Sequence, residues 1–216
     1  MPEPDRFAHE RKLLDEGVHP LAGIDEAGRG PLAGPVAAAA VILPESWVQA
    51  GLPDSLKGLN DSKQLSEKKR ESLFAVISSA TEIVYGVAIV DAQTIDRINI
   101  LQATHLAMNQ ALAKLAVSPS HSLVDGNPVK TLTTSQTAIV KGDSLSFSIA
   151  AASILAKVTR DRLMVEYDRE YPDYGFAQHK GYGTKKHMAA IEKHGACPIH
   201  RMSFAPLKPP TQAEIF

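Results

Sequence analysis

The chain has 216 residues, a formal net charge of -1 and one cysteine, Cys197, so bulk charge does not point to a nucleic-acid partner and an internal disulfide is excluded. No apolar run reaches the ~20 residues that a membrane helix needs, and the polar start of the chain lacks a signal-peptide pattern. These properties predict a cytoplasmic monomer that has no membrane partner and is built around one main core.

The first third of the chain predicts two helices and two strands. Residues 1–20 carry apolar side chains at helical spacing, which predicts a short helix in an N-terminal extension. Residues 21–25 and 36–43 have the composition of buried strands bracketed by glycine and proline. The prolines and glycines of residues 44–60 predict a loop without regular structure, and Ser66 then caps a helix.

The middle of the chain alternates between strand and helix patterns. A third strand is predicted at 82–90 and a long helix at 91–116. Two brief strands follow at 122–124 and 137–140, and an alanine-rich helix is predicted at 147–167. Because a strand, a helix and a further strand favour a parallel pair, this order predicts an α/β fold with a mixed sheet covered by helices.

The composition changes after residue 170. Residues 171–206 are at first rich in aromatic residues and glycine and then predict a helix at 185–194. We therefore expect a main domain at 21–170 and a C-terminal appendage at 171–206 that packs on the same core. Residues 207–216 are expected to form a disordered tail, whose apolar end is too weak a signal to assign a sliding clamp as a partner.

Four acidic residues share one setting in this pattern. Asp25 and Glu26, Asp125, and Asp143 each follow an apolar strand and lie close to a glycine. Side chains alternate along a strand, so Asp25 and Glu26 can serve one site only if the backbone bends there. In an open α/β sheet ligands bind at the ends of the strands, and we therefore expect these carboxylates to meet.

Carboxylates that are gathered at neutral pH repel one another and need a cation. Mg²⁺ prefers oxygen ligands, and two such ions ~4 Å apart stabilise the attacking and leaving oxygens of a phosphodiester displacement. The four residues therefore predict a site of phosphoryl transfer. The alternative is that they are turn residues, with Asp25 and Glu26 in an acidic hairpin turn and Asp125 and Asp143 in turns next to glycine.

Six sequence blocks together resemble the signature of a known family. They lie at residues 23–31 (Gly-Ile-Asp-Glu-Ala-Gly-Arg-Gly-Pro), 60–67, 124–127, 141–143, 151–157 and 179–184. In order and content they resemble the blocks of bacterial ribonuclease HII, and they cover the chain from about residue 21 to 206. One block alone would be weak evidence, whereas six in register are specific.

The resemblance implies a ribonuclease H-like fold, namely a five-stranded mixed sheet with one antiparallel strand, flanked by helices and followed by a C-terminal helical extension. It implies an endoribonuclease that cuts the RNA strand of RNA–DNA hybrids and incises duplex DNA 5′ to single ribonucleotides, leaving 3′-hydroxyl and 5′-phosphate ends. Nucleic acid is then the expected partner and Mg²⁺ or Mn²⁺, as two ions in the substrate complex, the expected cofactor. The catalytic metal ligands would be Asp25, Glu26, Asp125 and Asp143.

The resemblance also implies contacts with the substrate. Gly28, Arg29 and Gly30 match the family's loop whose backbone contacts the ribose 2′-hydroxyl, the group that distinguishes RNA from DNA. Tyr182 matches the tyrosine that stacks on the next sugar, and Lys63 is a candidate phosphate contact. Each has a plainer alternative, namely an ordinary turn, a packed tyrosine and a solvated lysine.

The remaining basic residues and histidines have expected places as well. A basic face hidden by the net charge is expected from Lys141, Lys157, Arg160, Lys180, Lys185 and Lys186. His179 is expected near the substrate, and His187 on a helix surface or in packing. A non-catalytic nucleic-acid-binding module and a metal-dependent phosphatase or sugar hydrolase remain rival functions, and a cleavage assay on duplex DNA with one ribonucleotide separates them.

Overall fold

The computed structural model describes residues 5–208 and contains a five-stranded sheet in the order β3-β2-β1-β4-β5. The strands are β1 (Leu21–Ala27), β2 (Val36–Ile42), β3 (Val84–Val90), β4 (His121–Asp125) and β5 (Ser135–Ile139). β2 is antiparallel to both β1 and β3, whereas β1, β4 and β5 are parallel. The predicted mixed sheet with one antiparallel strand is confirmed.

Helices cover both faces of this sheet and form the C-terminal segment. They are α1 (Ala8–Asp15), α2 (Glu45–Ala50), α3 (Glu67–Ser79), α4 (Ala92–Ala113), α5 (Gly142–Leu145), α6 (Phe147–Glu170), α7 (Phe176–His179) and α8 (Lys185–His194). The predicted helices correspond to α1, α3, α4, α6 and α8. Over residues 5–208, no helix combines the length and apolar character needed to cross a membrane.

The prediction of an irregular loop at residues 44–60 was wrong. This segment contains α2 and a short 3₁₀ helix, Asp54–Leu56. Pro44 occupies the N-cap of α2, where a missing N–H has no cost, and Val48 and Leu56 are buried in the core. The prolines and glycines separate two short helices here, and burial of their apolar residues stabilises both.

The expectation that a helix joins two parallel strands was wrong for β2 and β3. These strands pair antiparallel, with Ile42 opposite Val84 and Val36 opposite Val90. The chain between them forms α2, the short 3₁₀ helix and α3. It enters β3 at the same end of the sheet at which it leaves β2. This excursion brings residues 60–63 to the edge of the sheet where Asp125 lies.

The sheet is buried between two helical layers. All seven residues of β2 are buried, which explains its continuous apolar sequence. Ala39 and Val41 pack with α3 and α6 on one face, and Ala38 and Ala40 pack with α4 on the other. The small alanine side chains of β2 let α4 and α6 approach the centre of the sheet closely.

Helix α6 lies against β1 at a point where only glycine fits. A Cβ on Gly23 would lie 2.1 Å from the backbone carbon of Ser148, which is closer than atoms can approach. This contact near the start of α6 fixes the helix along the strand that carries Asp25. The glycine before the acidic pair therefore sets which residues of α6 face the carboxylates.

The segment after α6 folds back on the main sheet. Phe176 and Tyr174 are buried with Met164 of α6 and Ala33. Ala33 also forms a backbone bridge with His200, close to the end of the described chain. The turn after β1 is thus packed against residues far away in the sequence. The predicted tail lies largely in residues 209–216, outside the described residues.

Candidate active site

Three of the predicted acidic residues lie together at one edge of the sheet. Asp25, Asp125 and Asp143 each offer a carboxylate oxygen, and these oxygens lie within 4.8 Å of one another. Ile24 pairs with Val124 across parallel β1 and β4, so the next residue of each strand points to the same side. Asp143 comes from α5, directly after β5. We refer to these three side chains as the aspartate cluster.

Hydrogen bonds fix two members of the aspartate cluster. Asp25 accepts a hydrogen bond from the N–H of Glu26 at 2.7 Å, and the nearby hydroxyl of Ser153 in α6 lowers the pKa of its carboxyl group. Asp125 accepts one from the N–H of Gly142 at 2.7 Å, which joins the end of β4 to the start of α5. Both carboxylates are therefore oriented by the fold, which excludes the reading of Asp25 as part of a hairpin turn.

Asp143 reaches the cluster through an unusual turn. Lys141 adopts a left-handed conformation with φ of 59°, and the chain turns there from β5 into α5. The Asp143 side chain is only 7% exposed, and its Oδ2 lies 3.9 Å from the ammonium of Lys63. The predicted phosphate contact Lys63 therefore stands beside the cluster, while its own side chain is 73% exposed.

The aspartate cluster holds its negative charge at an energetic cost. Burial raises the pKa of Asp25 well above its usual range, and the charges of Glu26 and Asp125 add to the effect. Burial and the neighbouring Asp125 raise the pKa of Asp143 to about 6. Like charges in a partly dry site favour the protonated forms, and a bound cation would reverse this preference.

The chemistry of the donor set fits a hard divalent cation. The aspartate cluster offers oxygen ligands from three rigid positions, and Mg²⁺ and Mn²⁺ bind such oxygens. The Lys63 ammonium lies 3.9 Å from Asp143, and its charge interacts with those of Asp25 and Asp125, but one positive charge does not neutralise three carboxylates. We therefore expect the cluster to bind Mg²⁺ or Mn²⁺.

The raised pKa values predict how the stability of the metal-free protein varies with pH. The folded state binds protons more tightly than the unfolded chain at Asp25 and Asp143. The contribution of Asp143 to the free energy of unfolding is therefore favourable below about pH 4 and is lost as the pH rises through about 6. Asp143→Asn should therefore stabilise the metal-free protein by about 1–2 kcal/mol at pH 7 and by less at pH 5. Urea unfolding with a chelator measures this difference. An equal effect of the substitution at both pH values would contradict the raised pKa.

Glu26 stands apart from the aspartate cluster. β1 continues without a break to Ala27, so strand alternation separates the side chain of Glu26 from that of Asp25. Its carboxylate lies 3.4 Å from the guanidinium of Arg29. Burial raises the pKa of Glu26, the charge of Arg29 opposes this, and the charge of Asp125 adds to it. Glu26 therefore interacts electrostatically with the cluster, and its role as a metal ligand stays a prediction.

A cleft of about 410 Å³ opens beside Glu26 and contains every predicted substrate contact. Its lining includes Gly28, Arg29, Gly30, Lys63 and Tyr182. Tyr182 is 48% exposed, so it is not buried in the core, and its contact with a sugar stays a prediction. A Cβ on Gly30 would lie 3.7 Å from the Tyr182 ring, so the glycine loop and the ring form two sides of one opening.

Two buried arginines hold the glycine loop from behind. Arg201 is fully buried and donates hydrogen bonds to three carbonyls, those of Gly28 at 2.6 Å, Arg29 at 3.0 Å and Gly34 at 2.9 Å. Sequence analysis missed Arg201, because only the folding back of the C-terminal segment brings it to the loop. Burial lowers the pKa of Arg201 to about 9, with a further effect of the neighbouring Arg160, and this leaves the group charged at neutral pH.

The prediction of an exposed basic face was wrong for Arg160. Arg160 is 1% exposed and donates hydrogen bonds to the carbonyls of Pro35, Ala33 and Lys180. A Cβ on Gly28, whose φ is 100°, would collide with the Arg160 side chain at 2.1 Å. Arg160 is a structural residue that requires glycine at position 28.

Three histidines of the C-terminal segment, His179, His187 and His200, are packed side chains. His179 is buried and donates a hydrogen bond to the Tyr174 carbonyl, so its expected place near the substrate was wrong. His187 is fully buried, bonds the carbonyl of Tyr182 at 2.9 Å and lies 3.0 Å from His200. Burial lowers the pKa of His187 to about 4, so it is neutral and supports the backbone under Tyr182.

Comparison with known proteins agrees with this geometry. A family model described as ribonuclease HII matches residues 22–207. The ribonuclease HII of Endomicrobium trichonymphae is 55% identical over 202 residues, which cover 93% of this chain and 92% of that protein.

Solved structures give the same result for the fold. The crystal structure of the ribonuclease H2 from Pyrococcus horikoshii OT3 matches with a TM-score of 0.72 at 28% identity, over 87% of this chain and 95% of that one. The ribonuclease HII of Archaeoglobus fulgidus, solved in a complex with PCNA, matches with a TM-score of 0.68 at 25% identity, over 89% of this chain and 98% of that one.

Proposed function

The chain belongs to the ribonuclease HII family and is a metal-dependent ribonuclease H, and from this premise we propose what it cuts and how. Its substrates are RNA–DNA hybrids and DNA duplexes that contain a single ribonucleotide. It incises on the 5′ side of the ribonucleotide and leaves a 3′-hydroxyl and a 5′-phosphate. A nucleic acid is its partner, and the protein acts on it as a monomer.

The observation that carries the proposal is that the aspartate cluster lies beside the cleft, because Lys63 lines the cleft and its ammonium is 3.9 Å from Asp143. Glu26 also lines the cleft, and its charge interacts with that of Asp125. A strand that passes between Arg29 and Tyr182 would bring a phosphate to the cluster. A phosphatase or sugar hydrolase would use the carboxylates but would give no role to the glycine loop.

The residues divide the chemical work. Asp25, Asp125 and Asp143 hold the cation, with Glu26 as the further predicted ligand. Bound Mg²⁺ or Mn²⁺ supplies activation of the attacking water and stabilisation of the leaving 3′-oxygen. Lys63 is 3.9 Å from Asp143 and reaches solvent, so it can hold a phosphate next to the reacting one.

The glycine loop reads the 2′-hydroxyl with its backbone. The carbonyls of Gly28 and Arg29 accept hydrogen bonds from Arg201 and face the interior. Backbone N–H groups of the loop are thus the donors available to a sugar that enters the cleft. A deoxyribose lacks the partner for them, so DNA would bind through its phosphates without being positioned for cleavage.

Gly30→Ala tests this reading without disturbing the fold. The added Cβ would meet nothing nearer than the Tyr182 ring at 3.7 Å, so thermal unfolding should be unchanged. Because the methyl group occupies the approach of the sugar, kcat/KM on a single ribonucleotide should fall by about 10–100-fold, or about 1.4–2.7 kcal/mol. Normal cleavage by a normally folded Gly30→Ala variant would show that the sugar does not approach this backbone.

Tyr182→Ala tests the choice between substrates. If the ring packs flat on the deoxyribose that follows the ribonucleotide, its loss should remove about 1–3 kcal/mol of stacking at isolated ribonucleotides. A 2′-hydroxyl at that position crowds the ring, so long RNA stretches should lose less. The two kcat/KM values are compared at one salt concentration, and equal losses would assign Tyr182 a structural role only.

The ends of the product test the proposed reaction directly. An RNA–DNA hybrid with a labelled RNA strand is digested in Mg²⁺, and the fragments are offered to a DNA polymerase. We expect extension of the fragments, because a 3′-hydroxyl is a primer and a 3′-phosphate is not. Fragments that need phosphatase treatment before extension would contradict the proposed direction of bond cleavage.

A further inference from the structure

A pair of buried hydroxyl groups lies behind the aspartate cluster. The Oγ atoms of Ser62 and Ser153 are 2.8 Å apart, and the two residues are only 3% and 2% exposed. They belong to different parts of the chain, since Ser62 precedes Lys63 in the turn before α3 and Ser153 lies in α6. Neither hydroxyl takes part in the proposed chemistry, but each residue has a neighbour in the active site.

The packing of α6 on β1 places Ser153 over Asp25. The close contact of Gly23 with Ser148 fixes one point of the alignment. Ser153 lies five helical residues after Ser148, a rise of about 7.5 Å, and Asp25 lies two strand residues after Gly23, a rise of about 6.7 Å. The two residues therefore lie at nearly the same distance from the contact between Gly23 and Ser148. The Ser153 hydroxyl is accordingly close enough to the Asp25 carboxylate to act on it as a donor and to lower its pKa.

The direction of the hydrogen bonds follows from the carboxylate. When a cation is bound, Asp25 is ionised and can only accept, so Ser153 would donate its single proton to it. The oxygen of Ser153 is then the acceptor for the proton of Ser62, although the distance alone leaves the donor open. The result is a chain of donors that runs from Ser62 through Ser153 to Asp25.

Ser62 is held from its other side as well. Its carbonyl accepts a hydrogen bond at 2.9 Å from Arg70 of α3, which also donates to the carbonyl of Leu65. The next residue is Lys63, which stands beside Asp143. The contact between the hydroxyls of Ser62 and Ser153 thus links the turn that carries Lys63 to the carboxylate of Asp25.

We propose that Ser153 and Ser62 are positioning residues that orient Asp25 toward the bound cation and tie the Lys63 turn to that orientation. The inference rests on the proposed function, because it assigns Asp25 to the metal. Ser153 acts on Asp25 directly, and Ser62 acts only through Ser153. Groups that orient a metal ligand commonly change metal affinity by 10–100-fold when they are removed.

The test measures Mn²⁺ binding by titration calorimetry and cleavage of an RNA–DNA hybrid for four single variants of the full chain and for the double variant that combines Ser62→Ala with Ser153→Ala. Ser153→Ala removes the donor, and Ser153→Cys removes the strong donor but retains the volume. Ser62→Ala retains the hydroxyl of Ser153 and removes the hydroxyl that is hydrogen-bonded to it. Ser122→Ala is the matched control, since Ser122 is fully buried and bonded to Thr134 in the sheet away from the cluster.

We expect both substitutions of Ser153 to weaken Mn²⁺ binding by about 10–100-fold and to lower kcat at limiting metal, with KM for the hybrid unchanged. Ser62→Ala should weaken binding by less than tenfold, and adding it to Ser153→Ala should have no further effect. Ser122→Ala should bind Mn²⁺ and cut the hybrid as the unsubstituted protein does. A thermal unfolding transition for each variant confirms that it is folded.

Two results would overturn the inference while the proposed function stands. In the first, Ser153→Cys retains normal Mn²⁺ affinity while Ser153→Ala loses it, which would assign Ser153 to packing. In the second, the effects of Ser62→Ala and Ser153→Ala simply add, which would separate the two hydroxyls. If the unsubstituted protein neither bound Mn²⁺ nor cut the hybrid, the proposed function would fail and the inference with it.

Discussion

Asp25→Asn should reduce cleavage of an RNA–DNA hybrid in Mg²⁺ by at least about 1,000-fold, which corresponds to about 4 kcal/mol of transition-state stabilisation. The substitution removes one charge from the buried centre of the aspartate cluster, where the carboxylate would hold the cation. An amide oxygen binds a hard cation more weakly than a carboxylate does. Rates at saturating substrate and several Mg²⁺ concentrations measure the effect.

The same variant should fold at least as well as the unsubstituted protein when metal is absent. The amide oxygen can still accept from the N–H of Glu26, and the hydroxyl of Ser153 can rotate to accept from the amide nitrogen. Repulsion between Asp25 and Asp125 is removed at the same time. We therefore expect a raised urea midpoint together with lost activity, a combination that separates catalysis from stability.

Asp168→Asn provides the matched control for this experiment. Asp168 also accepts a hydrogen bond from a backbone N–H, that of Ala177 at 3.0 Å, but it lies outside the aspartate cluster. Its substitution should leave cleavage within a few-fold of normal. Full activity of Asp25→Asn in Mg²⁺ would contradict the assignment of the aspartate cluster to the reaction.

Arg201→Lys should have the second largest effect, on both stability and cleavage. Lysine replaces a planar group that bonds three carbonyls by a single ammonium that cannot span them. Leaving buried carbonyls of the glycine loop without donors should lower the free energy of unfolding by about 2–4 kcal/mol. The loosened loop should reduce cleavage by on the order of 100-fold, because a misplaced contact of about 1 Å has that effect.

Arg162→Lys is the control for the loss of a guanidinium. Arg162 is about half exposed and pairs with Glu71 on the surface, so its substitution should change stability by less than about 1 kcal/mol. Urea unfolding and hybrid cleavage are measured on both variants. Normal stability and activity of Arg201→Lys would show that the loop is rigid without its buried support.

The sequence allowed prediction of the parts of the site that follow from single strands and their ends. Asp25 and Asp125 follow apolar runs, and the register of parallel strands brings them together. Asp143 was predictable for the same reason, although its path through the left-handed Lys141 was not. The place of Glu26 was harder to predict, because Glu26 and Asp25 share one sequence context but their side chains point to opposite faces of β1.

The remaining features depend on contacts between distant segments. Arg160 was predicted as part of a basic face and is buried, because its position in α6 faces the carbonyls of the turn after β1. Arg201 and His187 acquire their roles only when the C-terminal segment folds back. A periodic pattern shows which face of a helix is apolar, but it does not show which polar side chain will find a buried carbonyl.

The most direct test of the account is incision of a labelled DNA duplex that contains one ribonucleotide. In Mg²⁺ the protein should cut once, on the 5′ side of the ribonucleotide, and leave a 3′-hydroxyl that a polymerase extends. The all-DNA duplex should bind at low salt and remain uncut, and Asp125→Asn should not cut either substrate. Absence of incision at the ribonucleotide by the unsubstituted protein, or equal cutting of the all-DNA duplex, would contradict the proposed reading of the 2′-hydroxyl beside the aspartate cluster.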